Sequence, residues 1–187
     1  MIVFLGLVFD LSCCRHDCNC REQINSPIVP KEIRNTRYIY SDMPAIITFR
    51  QFQEQLTQFA CQLTVVYLIY PDSEYDMNLL SCMSNIQKHF YRYGVRVLVI
   101  DLHSAIHWPE LKSILYRVYA NFIAEYLNSD GVLALEKFLH FRNDVNKIFV
   151  IDSMNNNYVY RIYNKQCWQI IRKVKSILAN RDKNVSD

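Results

Sequence analysis

Two short apolar runs, LTVVYLIY at 63–70 and VRVLVIDL at 95–102, stand on either side of a segment whose apolar positions recur every three or four residues: Leu79, Leu80, Met83, Ile86 and Phe90. Runs that are rich in β-branched and aromatic residues and lack an exposed polar face predict strands covered on both sides, and the spacing between them predicts a helix. Strand, helix and strand in this order form a right-handed βαβ unit with a parallel pair.

The same reading extends outward. Thr48 followed by Gln51 has the spacing of a capping box, and Phe49, Phe52, Leu56, Phe59 and Ala60 mark one face of a helix ending near Cys61. RYIYS at 37–41 predicts a short first strand ahead of it. After 102, Pro109 suits a first helical turn, where its missing N–H is harmless. Leu111, Ile114, Leu115, Val118, Tyr119, Phe122, Ile123 and Tyr126 then give one long amphipathic helix. Ser129 or Asp130 caps a shorter helix bearing Val132, Leu135, Phe138 and Leu139. KIFVID at 147–152 and YVYRIY at 158–163, joined by SMNNN, predict an antiparallel hairpin, and Cys167, Ile170, Ile171, Val174, Ile177 and Leu178 line a closing helix. EQINSPIVPKE at 22–32 reads as a linker. The expected organisation is an N-terminal segment and linker at 1–36, one folded domain at 37–181 and a disordered tail at 182–187.

Composition narrows the chemistry. A chain of 187 residues with 51% hydrophobic and 21% charged residues can bury a full core. The net charge of +3 is too small to predict a polyanionic partner, so no nucleic acid is expected. Its three glycines, Gly6, Gly94 and Gly131, leave no GxGxxG or Walker loop for phosphate.

The N-terminus is unusual. MIVFLGLVF at 1–9 is apolar but too short to span a bilayer as a helix. Followed by Leu11-Ser12-Cys13-Cys14, it resembles a secretory signal ending in a bacterial lipobox, with Cys14 as the lipid-bearing candidate. Asp10 and the lack of a preceding Lys or Arg leave a buried N-terminal strand as the other reading. Localisation is accordingly expected to be exported or membrane-tethered rather than cytoplasmic. Cys13, Cys14, His16, Cys18 and Cys20 crowd into eight residues. Thiolates beside an imidazole suit zinc or copper(I), although there is no second CxxC pair and adjacent cysteines strain a tetrahedral cage. Oxidation or lipidation are the alternatives, and no cofactor is expected in the main domain.

Written in order, the elements are β-α-β-α-β-α(α)-β-β-α, and over roughly 37–181 this resembles the thioredoxin-like superfamily. The resemblance implies an α/β, three-layer thioredoxin-like sandwich with a central mixed sheet and an enlarged helical insertion before the C-terminal hairpin. It does not carry over the chemistry. The family's WCxxC follows the first strand of the central unit, where a helix N-terminus lowers the thiol pKa. The matching stretch here is Tyr70-Pro71-Asp72-Ser73-Glu74-Tyr75-Asp76, without a thiol, and the family's cis-proline position falls in Asn143-Asp144-Val145-Asn146, without proline. Cys61, Cys82 and Cys167 read as buried core cysteines.

The expectation is therefore a redox-inactive domain, without a dithiol active site, that binds a protein or peptide in the family's groove through Tyr70, Pro71, Asp72, Glu74, Tyr75 and Asp76, with Trp108 near its rim. The competing reading is a metal-dependent hydrolase or phosphoesterase using Asp72, Asp101 and Asp152, each of which ends an apolar run, with His103 and His107 just beyond Asp101. An antiparallel strand at 148–152 would carry Asp152 to the opposite end of the sheet from Asp101.

Overall fold

The computed structural model describes residues 39–57, 63–70, 74–139, 148–162 and 166–184. Six strands, β1 (Ile46–Ile47), β2 (Leu63–Ile69), β3 (Val95–Asp101), β4 (Ile123–Leu127), β5 (Ile148–Asp152) and β6 (Tyr158–Ile162), form one sheet in the order β1-β4-β3-β2-β5-β6. β1, β4, β3 and β2 are mutually parallel neighbours, while β5 runs antiparallel to β2 and β6 antiparallel to β5. The helices are α1 (Phe49–Thr57), α2 (Met77–Phe90), α3 (Trp108–Arg117), α4 (Ser129–Leu139) and α5 (Cys167–Asn184).

The apolar runs at the centre split by parity between the two faces. Leu63, Val65, Tyr67 and Ile69 of β2, with Val95, Val97 and Val99 of β3, pack against α2, α3 and α5. Val66 and Leu68, with Leu98 and Ile100, pack against α1 and α4 through Phe52, Leu56, Leu135 and Leu139. Every residue of β2 and β3 is buried, Arg96 and Asp101 included. A strand with helices on both sides has no solvent-facing positions, hence no polar alternation. The result is the three-layer α/β sandwich with a mixed sheet.

The α1 capping box forms: Thr48 N–H donates to Gln51 Oε1 at 2.8 Å, and Gln51 N–H donates to Thr48 Oγ1 at 3.2 Å. The hairpin also forms, with Asn156 and Asn157 both at positive φ, 50° and 57°, a conformation asparagine tolerates better than most residues. Pro109 lies in the first turn of α3.

Three expectations need correction. The first strand is Ile46–Ile47, while the described part of the 37–41 segment, Ile39 to Ser41, is not a strand. Tyr40 is nonetheless buried there, donating its hydroxyl to Phe122 O at 2.8 Å. The long helix predicted through Tyr126 stops at Arg117. Tyr119 takes a positive φ of 52°, and 123–127 becomes strand β4, paired with β3 from Leu98 to Asp101. Apolar residues at 118, 119, 122, 123 and 126 fit a helical period, but the backbone groups along the outer edge of β3 require partners, and a strand supplies them. The insertion before the hairpin is therefore a second βαβ crossover followed by a helix, not a purely helical pair. Lastly, α4 begins at Ser129, so Ser129 and Asp130 form its first turn rather than precede it. Here α4 approaches closely: a Cβ on Gly131 would lie 3.2 Å from both the Leu127 side chain and Phe49 N.

Candidate functional site

The parallel strands β2 and β3 end side by side at Ile69 and Asp101, and the backbone pairing continues one step further, with Leu102 N–H donating to Ile69 O at 2.9 Å. Residues 74–76 then lead into α2, whose N-cap is Asp76: its carboxylate accepts from Leu79 N–H at 3.0 Å and satisfies a donor in the first turn. This corner, where strand ends meet a helix N-terminus, is the place where open α/β sheets bind ligands.

Asp101 is its centre. The side chain is fully buried, yet it accepts from the Tyr75 hydroxyl (3.1 Å to Oδ2), from His103 N–H (2.8 Å to Oδ1) and from the His103 ring (2.6 Å, Nδ1 to Oδ1). A carboxylate only accepts, so Nδ1 carries the proton and Nε2 is left without a hydrogen-bond partner among the described residues. The ring of His103 packs 5.2 Å from that of Tyr75 and 5.5 Å from that of His107. Behind them the buried Tyr126 hydroxyl lies against Asp101 and Tyr75 without reaching hydrogen-bond geometry to either. Burial, reinforced by the Asp101 charge, holds the Tyr75 and Tyr126 hydroxyls well above the usual phenol range, so both stay protonated and Tyr75 donates to Asp101. Trp108, edge-on to Tyr126 at 6.0 Å, closes the wall and donates Nε1–H to Ser41 O at 3.2 Å.

The structure gathers only part of the predicted groove. Tyr75 and Asp76 are at the corner, with Glu74 exposed beside them. Tyr70 is not with them: it packs with the α1 and α4 layer, near Glu136, across the sheet from Tyr75. Pro71 and Asp72 lie outside the described residues, as do Cys13, Cys14, His16, Cys18, Cys20 and Cys61. The aspartates of the hydrolase reading do not converge. Asp152 pairs with Leu63 at the start of β2, and Asp101 with Ile69 at its end, because β5 runs antiparallel. Asp152 instead forms a buried ion pair with Arg181 of α5 and accepts from Met154 N–H at 3.2 Å. Among the described residues no group of three or more His, Cys, Asp or Glu side chains is arranged to hold a metal ion.

Two features went unseen in the sequence. Cys82 of α2 and Cys167, the first residue of α5, form a disulfide; Cys82 is buried as expected, and Cys167 is partly buried. The signal was available: both helices cover the same face of the sheet, and each cysteine falls on its helix's inner side. The second is a polar cluster between α1 and the sheet. Gln55 Nε2 donates to Glu125 at 3.0 and 3.1 Å, and Arg96 donates to Gln55 O at 3.0 Å. Burial pushes Arg96 down to about 10 and raises Glu125, while Gln55 and Arg96 pull Glu125 the other way. This cluster is covered by α1 and has the character of a structural brace.

No family model and no curated protein matches the sequence. Solved structures do. A thiol:disulfide interchange protein from a Bacteroides species superposes with a TM-score of 0.53 at 10% identity, covering 66% of this chain and 78% of that one. A protein assigned as the thiol:disulfide interchange protein DsbE of Chlorobium tepidum gives 0.50 at 13% identity, covering 66% and 84%. A protein assigned as a thioredoxin of Neisseria meningitidis gives 0.50 at 8% identity, covering 66% and 79%. At such identities the likeness is one of fold, and the fold of this chain is thioredoxin-like.

Proposed function

We propose that this thioredoxin-fold chain is a redox-inactive module that binds an extended segment of another protein at the corner formed by Tyr75, Asp101 and His103. The observation that carries the reading is the replacement at that corner: where the fold's oxidoreductases use a dithiol, Tyr70 to Asp76 has no cysteine, and the nearby strand end holds a buried carboxylate that orients a histidine and a tyrosine. The one described disulfide is poorly placed for exchange, since Cys82 is 2% exposed and lies past the first turn of α2. What the corner offers a ligand is the Nε2 of an oriented imidazole, for hydrogen bonding to backbone or side-chain donors.

Two assays test this together. In dithiothreitol-driven reduction of insulin the protein gives no rate above background. In a display selection from random linear peptides it enriches binders whose affinity falls at least tenfold in the His103→Ala variant. Catalysed insulin reduction, or binders indifferent to His103→Ala, would reject the reading.

The reading includes export. Disulfides persist where the medium is oxidising and are rare in the reducing cytosol, and the Cys82–Cys167 bond fits an exported chain. Among the described residues no helix is long and apolar enough to cross a membrane. The tether proposed is lipid on Cys14, from the Leu11-Ser12-Cys13-Cys14 pattern that follows the apolar run at 1–9. Mass spectrometry of the natively expressed chain is expected to find it cleaved before Cys14 and acylated there. An intact, unmodified Met1 overturns the lipid anchor.

A further inference from the structure

β6 ends the sheet, and its outer edge pairs with no other described strand. Along it runs an open groove of about 1060 Å³ that wraps from the α4 side to the α5 side. Parity along β6 divides its lining. Tyr158 and Tyr160 face the α5 layer, their rings edge-on at 4.7 Å, and Val159 faces the α4 layer, which places Arg161 on that side too. Phe49 and Phe138, 5.9 Å apart, form the apolar floor on the α4 side.

The charge along this edge has one sign. Lys137 of α4, Arg161 of β6 and Lys173 of α5 line the groove, and among the described residues no Asp or Glu does. Among the described residues none of the three forms an ion pair. Lys173 Nζ instead sits 4.7 Å from the centroid of Tyr160. In a chain of net charge +3, this is a local concentration. Lysines alone on an edge strand serve to discourage aggregation. Here they border a groove with aromatic walls, which a purely protective edge does not need.

We propose that the β6 edge is a strand-addition site for an extended acidic peptide of a partner protein, separate from the Tyr75–Asp101–His103 corner. The peptide backbone completes the ladder that β6 leaves open. Its side chains alternate between the two faces, as in any strand, so carboxylates on one side meet Arg161 and Lys137 and those on the other meet Lys173, while apolar residues between them pack on Tyr158, Tyr160 and Phe138. A single-stranded nucleic acid would satisfy the cations and stack on the tyrosines but would leave the edge N–H and C=O groups unpaired, so the open ladder favours peptide.

The test uses the full chain and a fluorescent octapeptide of sequence Glu-Glu-Val-Val-Glu-Glu-Val-Val, which as a strand places glutamates and valines on both faces, followed by polarisation. The peptide is expected to bind, with affinity falling as salt rises. Binding should fall at least tenfold in a Lys137→Glu/Lys173→Glu double variant, and as much when alternate backbone amides of the peptide are N-methylated to block the ladder. The corner variant His103→Ala should bind it unchanged, which separates this site from the other. The proposal is overturned if a peptide with lysine in place of glutamate binds equally well, if N-methylation has no effect, or if a single-stranded oligothymidylate binds more tightly than the peptide.

Discussion

Breaking the Cys82–Cys167 disulfide, by reduction or in a Cys82→Ala/Cys167→Ala double variant, is expected to lower the melting temperature by about 4–16 °C. The bond joins residues 85 apart in sequence. In the chain-entropy account a closed loop of that size removes roughly 4–5 kcal/mol of freedom from the unfolded chain, and measured values run at about 2–4 kcal/mol. For a domain of this size each kcal/mol moves the midpoint by about 2–4 °C. The bond ties α2 to the start of α5 on the same face of the sheet. Its loss leaves the Leu80, Met83, Ile86 and Ile170 packing in place, so the variant should fold and unfold more easily rather than collapse. Scanning calorimetry with and without reductant checks this. An unchanged midpoint would mean that the bond does not constrain the unfolded chain.

Asp101→Ala should destabilise the domain by about 2–4 kcal/mol. The carboxylate is fully buried and serves three donors, the Tyr75 hydroxyl and the backbone and ring N–H groups of His103. Removing it strands those donors in a site where water has little access, and each unmet buried partner costs about 1–3 kcal/mol. The three do not add in full, because Tyr75 and His103 are partly exposed and can turn outward. Asp101→Asn keeps an acceptor oxygen and should cost less, about 1–2 kcal/mol. Urea unfolding at constant m-value gives both numbers. If Asp101→Ala stays within about 0.5 kcal/mol of wild type, the carboxylate is not the anchor of the corner. The same variant should abolish peptide binding there, since His103 loses the group that fixes its tautomer.

The central βαβ unit was legible because its strands have helices on both sides, and that condition writes itself into sequence as β-branched runs such as 63–69. The α1 cap and the hairpin were legible because Thr48 and Gln51 bond backbone groups a few residues away and the turn asparagines accept positive φ. β4 was not. IAEYL at 123–127 sits within a stretch whose apolar spacing fits a helix, and only the open edge of β3 selects a strand there. At the site, Asp72, Asp101 and Asp152 looked alike, each closing an apolar run. Strand direction then put Asp101 and Asp152 at opposite ends of β2, so one became the centre of a corner network and the other a brace for Arg181.

By itself the sequence determined the thioredoxin-like order of elements apart from β4, the parallel core at 63–101 and the absence of a thiol between Tyr70 and Asp76, since all three rest on residue type and near-neighbour spacing. Only the tertiary structure decided that Tyr70 turns away from the corner, that Asp101 gathers Tyr75 and His103, that Cys82 meets Cys167, and that the β6 edge carries a cationic groove. Each of these joins residues from different elements, and their meeting depends on which strand lies beside which and on which face each helix covers.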